Sequence, residues 1–140
     1  DAAGTAEARF GAGKGVEGGV MTFTLGTGVG CGMFLNGKLV PNLEMGKVYL
    51  EGHKEWAEHY MSSRVREEEE LKWKEYGRRL NQYFLHMEFL FSPQLIIIGG
   101  GVSKKAHKYM PYIQLKRTKI VPAELRNEAG IVGAAAAAVS

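Results

Sequence analysis

The sequence predicts an α/β domain: one mixed sheet with flanking helices, its antiparallel strands early in the chain and its parallel crossovers after them. Three observations lead there. Asn36-Gly37 separates the apolar runs 33–35 and 39–40, and an Asn-Gly pair so placed favours a tight hairpin, because both central residues of that turn need positive φ. Between residues 73 and 91 apolar side chains recur at three- and four-residue steps, the signature of one helical stripe. Leu95 to Ile98 is short, wholly apolar and rich in β-branched residues, as a buried parallel strand requires.

In chain order, residues 2–10 hold good helix formers, and 11–19 form a glycine-rich connection with one lysine, Lys14. Residues 20–25 read as a strand, followed by a loop over 26–30 and then the hairpin. Residues 41–53 show no sustained period and contain two glycines, which suggests a surface loop, with 48–50 as a possible short strand. Residues 56–91 are helical in composition with a break near Leu71. The stripe in the second half is Trp73, Tyr76, Leu80, Tyr83, Phe84, Met87, Leu90 and Phe91, and it should pack on the sheet. Ser92-Pro93 ends that helix. After the strand, residues 99–101 form a glycine turn, 102–112 a helix, 120–121 a short strand ended by Pro122, and 130–139 a small-residue helix.

Composition fits one globular domain: 140 residues, 45% hydrophobic and 24% charged. A net charge of +3 is modestly basic, and Arg64, Arg66, Arg78 and Arg79 are interspersed with acids rather than gathered in a stripe. Nucleic acid is therefore not expected, whereas an anionic phosphate donor fits. The single Cys31 excludes a disulfide framework or a multi-cysteine zinc site within these residues. No apolar run approaches the roughly 20 residues of a membrane helix, and no targeting segment is visible. A soluble protein of the cytoplasm or an organelle lumen is expected. Because the sequence opens on Asp1 without a start signal, it is expected to be part of a longer chain.

Two glycine clusters can carry chemistry. In Gly26-Thr27-Gly28-Val29-Gly30 the missing Cβ atoms let backbone N–H groups approach an anion, and Thr27 adds a hydroxyl. Spacing alone favours a plain glycine-rich turn slightly, and the cluster lacks the Lys-Ser/Thr pair of a P-loop. The second cluster, Gly99-Gly100-Gly101, ends a buried strand and opens a helix, a place where α/β sheets bind ligands; it reads equally as a close-packing turn. Glu44 and Lys47 fall in the irregular loop after the hairpin and Glu58 early in a helix; the two carboxylates could accept paired hydrogen bonds from sugar hydroxyls, though each of the three residues alone reads as a surface charge. His53, His59, His86 and His107 show no metal spacing, and Glu67 to Glu70 read as a solvent-facing helix edge.

Taken together and in order, these segments resemble ROK-family sugar kinases of the polyphosphate glucokinase branch. The resemblance runs through Asp1-Ala2-Ala3-Gly4, Arg9-Phe10-Gly11-Ala12-Gly13-Lys14-Gly15, Thr24-Leu25-Gly26-Thr27-Gly28-Val29-Gly30 and Leu39-Val40-Pro41-Asn42-Leu43-Glu44. It continues through Arg64-Val65-Arg66-Glu67, Phe91-Ser92-Pro93, Ile97-Ile98-Gly99-Gly100-Gly101-Val102-Ser103-Lys104-Lys105 and Arg126-Asn127-Glu128-Ala129-Gly130-Ile131-Val132-Gly133-Ala134-Ala135.

The resemblance implies the C-terminal lobe of an actin-like, ribonuclease-H-like sugar kinase spanning residues 1–140, with the N-terminal lobe outside this sequence. It implies phosphoryl transfer from polyphosphate or ATP, with Mg2+ and without zinc, to the 6-hydroxyl of glucose. By the same resemblance Gly26, Thr27, Gly28 and Gly30 bind phosphate, Gly99, Gly100 and Gly101 line the donor channel, and Glu44, Lys47 and Glu58 meet the sugar, with Ser62 four residues after Glu58. The general base is an Asp expected upstream of Asp1, and a first phosphate loop is expected in the missing lobe, so these residues alone are expected to be inactive. A homodimer or larger assembly is expected. One departure lies inside the sequence: the family's sugar-binding Glu-x-Gly-His stands here as Glu44-Met45-Gly46-Lys47. Lysine donates hydrogen bonds but cannot alternate between donor and acceptor as neutral imidazole can. The competing expectation is a non-catalytic, kinase-like structural or regulatory subunit.

Overall fold

The computed structural model describes residues 11–40 and 43–124. The segments 2–10 and 130–139, and the resemblance segments around them, lie outside the described residues. Five strands form one sheet: β1 (Gly19–Leu25), β2 (Val29–Leu35), β3 (Lys38–Val40), β4 (Leu95–Gly99) and β5 (Lys119–Pro122). Their order is β3-β2-β1-β4-β5. The β1-β2-β3 meander is antiparallel, and β4 and β5 add in parallel, with Thr24 opposite Gly99. This is the mixed sheet expected from the pattern. At the β2–β3 turn Asn36 and Gly37 both have positive φ, 50° and 82°, as an Asn-Gly hairpin requires. Pro122 closes the edge strand β5, a position where its missing N–H costs nothing.

The helices are α1 (Glu58–Met61), α2 (Ser63–Glu68), α3 (Trp73–Phe91) and α4 (Ala106–Tyr109). Residues 69–72 separate α2 from α3, close to the break expected at Leu71. Ser92 adopts φ 45° at the C-cap of α3, its N–H donating to the Glu88 carbonyl at 2.9 Å, and Pro93 then prevents any continuation. The buried stripe of α3 is Tyr76, Gly77, Leu80, Tyr83, Phe84, Met87 and Glu88. It packs on Met21, Phe23, Leu25, Ile96 and Ile98. Phe23 sits edge-on to Tyr83 at 5.7 Å and to Phe84 at 5.1 Å, a preferred aromatic geometry. The opposite sheet face is a smaller cluster of Val20, Phe34, Leu95 and Ile97 with Ala12, Val16, Val121 and Ala123 against it.

Three expectations need correction. Leu90 is 48% exposed rather than part of the stripe, because steps of about 100° set it at the margin of the helix face that Met87 and Phe91 turn to the core. Residues 48–50 form no strand; the Val48 carbonyl instead accepts from the Ala57 N–H at 2.8 Å. The helix expected over 102–112 is broken into a 3-10 turn (Gly101–Lys105), α4 and a second 3-10 turn (Met110–Tyr112). Ser103 Oγ donates to the Gly100 carbonyl at 2.8 Å, competing with helical pairing, and Pro111 lacks the N–H that α-helix would need.

Three buried tyrosines tie loops to this core. Tyr76 donates its hydroxyl to the Met61 carbonyl at 2.9 Å, Tyr83 to Met45 at 2.8 Å, and Tyr109 to Val102 at 3.0 Å. Burial holds all three hydroxyls above the ordinary phenol range, so they stay protonated donors.

Candidate active site

Parallel pairing sends the chain out of β1 and β4 at the same end of the sheet, where ligand sites of such sheets form. The two glycine clusters therefore meet. Gly100 has φ 87°, and a Cβ on it would lie 2.7 Å from the Leu25 carbonyl oxygen. Only glycine satisfies both conditions. Gly100→Ala should cost about 2–3 kcal/mol in chemical denaturation, from positive φ and the displaced strand end together.

The β1–β2 connection is shorter than the sequence suggests. Gly30 belongs to β2, opposite Thr24, and the connecting residues are Gly26, Thr27 and Gly28. The Gly26 N–H donates to the Gly28 carbonyl at 3.0 Å, so that amide is occupied. Among the described residues the N–H groups of Thr27 and Gly28 meet no acceptor, and Thr27 is exposed. These two amides and the Thr27 hydroxyl form the donor set at the tip.

Glu58, the first residue of α1, reaches this tip. Val29 N–H points at Glu58 Oε2 across 3.4 Å, and a Cβ on Gly28 would come within 2.9 Å of the same oxygen. Gly46 closes the other side: a Cβ there would lie 3.0 Å from Val29 Cβ and 3.2 Å from Glu58 Oε2. An open hollow of about 540 Å³ is lined by Thr24, Gly26, Thr27, Gly28, Val29, Gly30 and Glu58. Ser62 ends α1 and caps α2, its Oγ accepting from Val65 N–H at 3.3 Å. The Arg64 N–H donates to the Gly26 carbonyl at 3.1 Å. One short helical corner thus supplies the carboxylate and buttresses the loop.

Glu44 precedes a 3-10 turn (Met45–Lys47) that Tyr83 fixes through Met45. Gly46 is the residue of this turn that touches Glu58, while Glu44 and Lys47 are both exposed. Lys47 Nζ lies over the Trp56 ring, 5.8 Å from its centroid, a cation–π arrangement. Tyr83 was not singled out as a site residue by the sequence, where it reads as core on the helical stripe; Arg64 touches the loop only through its backbone N–H.

Burial first, and then the nearby Glu44 carboxylate, push the Cys31 thiol up to about 12. Its reaction with a thiol reagent near pH 8 should be slower than that of a free cysteine by about 100-fold or more, since the thiolate is the nucleophile. A rate equal to free cysteine would show that β2 opens at this point. A second hollow, of about 650 Å³, is lined by His53, Lys54, Glu55, His59, Tyr60, Glu69 and Arg79. Arg79 there is held by Glu69 at 2.9 Å and by the Tyr60 carbonyl. Among the described residues no three metal-ligating side chains converge, and no helix is long and apolar enough to cross a membrane.

A family model described as the ROK family matches residues 47–140. A polyphosphate glucokinase of Mycobacterium tuberculosis is 42% identical over 140 residues, which cover 100% of this chain and 52% of that protein. The crystal structure of an inorganic polyphosphate/ATP-glucomannokinase from Arthrobacter sp. strain KM is 56% identical. It superposes with a TM-score of 0.92 over 99% of this chain and 54% of that one. A ROK hexokinase from Thermus thermophilus, 22% identical with a TM-score of 0.78 over 97% of this chain and 62% of its own, bears on the fold alone. The fold is the actin-like one expected from the resemblance. The chain spans about half the length of the curated relatives it matches.

Proposed function

Because the chain belongs to the ROK family, we propose that it forms the C-terminal lobe of a glucokinase-like phosphotransferase that moves a phosphoryl group from polyphosphate or ATP to the 6-hydroxyl of glucose. The observation that carries this reading is the meeting, in one open hollow, of two unengaged amides on Thr27 and Gly28 with the Glu58 carboxylate. Phosphoryl transfer needs an anion cradle and an oriented hydroxyl side by side, because most of the catalysis is positioning and charge stabilisation. The Thr27 and Gly28 N–H groups would donate to phosphoryl oxygens, as would the Thr27 hydroxyl. Glu58, which would repel an anion placed on itself, would accept from a sugar hydroxyl and so keep sugar and phosphate in register. Gly99 to Gly101 would border the donor channel beside Leu25.

Glu44 and Lys47 would meet the sugar from the neighbouring turn. Lys47 would need to leave the Trp56 face to do so, a change of fractions of a kcal/mol to about 1 kcal/mol at an exposed cation–π pair. The base for the acceptor hydroxyl would come from a residue N-terminal to Asp1. Among the described residues Glu58 is the one carboxylate lining the hollow, which fits a magnesium ion held chiefly by donor phosphates. Mg2+ would neutralise phosphoryl charge when bound. The same reading expects a homodimer or larger assembly and a soluble protein of the cytoplasm or an organelle lumen.

The test is a coupled glucose 6-phosphate assay on the full-length protein with polyphosphate and with ATP. Turnover with either donor is the expected result. A folded protein with no turnover on any donor would end this reading.

A further inference from the structure

Arg64, Lys104 and Lys105 are exposed cations at two turns that abut the end of β1. Arg64 lies in the first turn of α2, and its N–H is fastened to the Gly26 carbonyl at 3.1 Å. Lys104 and Lys105 end the 3-10 turn that follows Gly100, whose backbone rests against Leu25. Among the described residues none of the three has an ion-pair partner, although Glu67 and Glu68 stand one helical turn beyond Arg64. Nearby arginines are committed elsewhere. The Arg66 guanidinium lies 3.9 Å over the Trp73 ring and donates to the Leu71 carbonyl, while Arg79 is paired with Glu69.

We propose that Arg64, Lys104 and Lys105 form a basic rim that holds a linear phosphate chain beyond the group being transferred. This rests on the hollow being the phosphoryl-donor site, and it adds which residues favour an extended polyanion. The amides of Thr27 and Gly28 can engage one phosphoryl group whatever follows it. A nucleoside triphosphate ends its charge after three phosphates, whereas a longer chain continues to offer one negative charge per unit. Three exposed cations, on the two turns whose backbones touch Gly26 and Leu25, supply the counter-charge for that continuation. Each exposed contact is weak, but together they release counterions and make binding steeply dependent on salt.

The experiment compares the full-length wild type with the triple variant R64A/K104A/K105A and the charge-keeping triple R64K/K104R/K105R. Binding of a long polyphosphate chain is measured by titration calorimetry at several salt concentrations, and turnover is measured separately with polyphosphate and ATP. The alanine triple should bind the chain about tenfold or more weakly, with the slope of log K against log salt reduced by about 2. Its KM for ATP should change by about threefold or less, and the charge-keeping triple should retain chain binding. Unchanged chain binding in the alanine triple, or an equal loss for ATP and the chain, would overturn the rim. If the wild type turns over neither donor yet binds the chain in a triple-dependent way, the rim stands and the phosphotransferase reading fails.

Discussion

Replacing Glu58 with alanine in the full-length protein is expected to lower kcat/KM for glucose by roughly 100- to 1,000-fold, with the folding midpoint nearly unchanged. The two effects separate because the carboxylate does little structural work. Its contact with the Val29 N–H is long, 3.4 Å, and removing so weak a bond should cost about 1 kcal/mol or less. What alanine removes is, among the described residues, the one carboxylate lining the hollow. Glu58→Gln keeps one acceptor oxygen at the same place and should fall between wild type and alanine. Steady-state kinetics with sugar and donor varied separately would check the assignment. The loss should fall on the sugar, because the donor amides of Thr27 and Gly28 belong to another element.

Replacing Glu88 with glutamine is expected to lower stability by about 3 kcal/mol and to leave the chemistry of the hollow untouched. Glu88 is 2% exposed. Its carboxylate accepts from the N–H groups of Lys116 at 3.0 Å, Arg117 at 2.9 Å and Thr118 at 2.7 Å. Burial alone would raise its pKa, but the three backbone donors outweigh burial and hold it at about 2, below the ordinary 4.5. A depressed folded-state value means that the carboxylate's contribution is complete above pH 4.5 and disappears as the pH falls to about 2. The stability gap between wild type and Glu88→Gln, measured by urea denaturation, should therefore be flat above pH 4.5 and close toward pH 2. A glutamine can offer only its amide oxygen, and its NH2 would face a backbone donor.

Glu88 also shows where sequence reading stops. Helical period places it beside Met87 on the buried side of α3, yet nothing local says that three amides some 28 to 30 residues later converge on it. The hairpin, the buried strand β4 and the stripe of α3 were legible because each depends on neighbours in sequence: positive φ at Asn36-Gly37, β-branching at 96–98, and a three- to four-residue period. Leu90 departs from the stripe because it lies at the margin of the face that Met87 and Phe91 turn to the core, and a three- to four-residue spacing does not by itself mark where that face ends. The helix expected over 102–112 is broken where Pro111 lacks an N–H and where Ser103 bonds the Gly100 carbonyl, and both residues are visible in the sequence.

The candidate site was legible only in part, for a related reason. The glycines at 26–28 and 99–101 mark where backbone comes close to something, and the parallel β1–β4 pairing brings the two together. Glu58 was suggested by resemblance; no spacing in the sequence places it at Gly28. Tyr83 is more instructive. Its ring fills the core against Phe23 while its hydroxyl fixes Met45, so one side chain joins packing to the turn that carries Glu44 and Lys47. Pattern reading sees the ring and misses the hydroxyl.

The most direct test of a sugar-kinase site at this corner is crystallography of the full-length protein with glucose and a non-transferable phosphate donor. The account expects a glucose hydroxyl within hydrogen-bond distance of the Glu58 carboxylate and a phosphate oxygen on the Thr27 and Gly28 N–H groups. Glucose and donor bound together elsewhere, with this hollow holding only solvent, would contradict it.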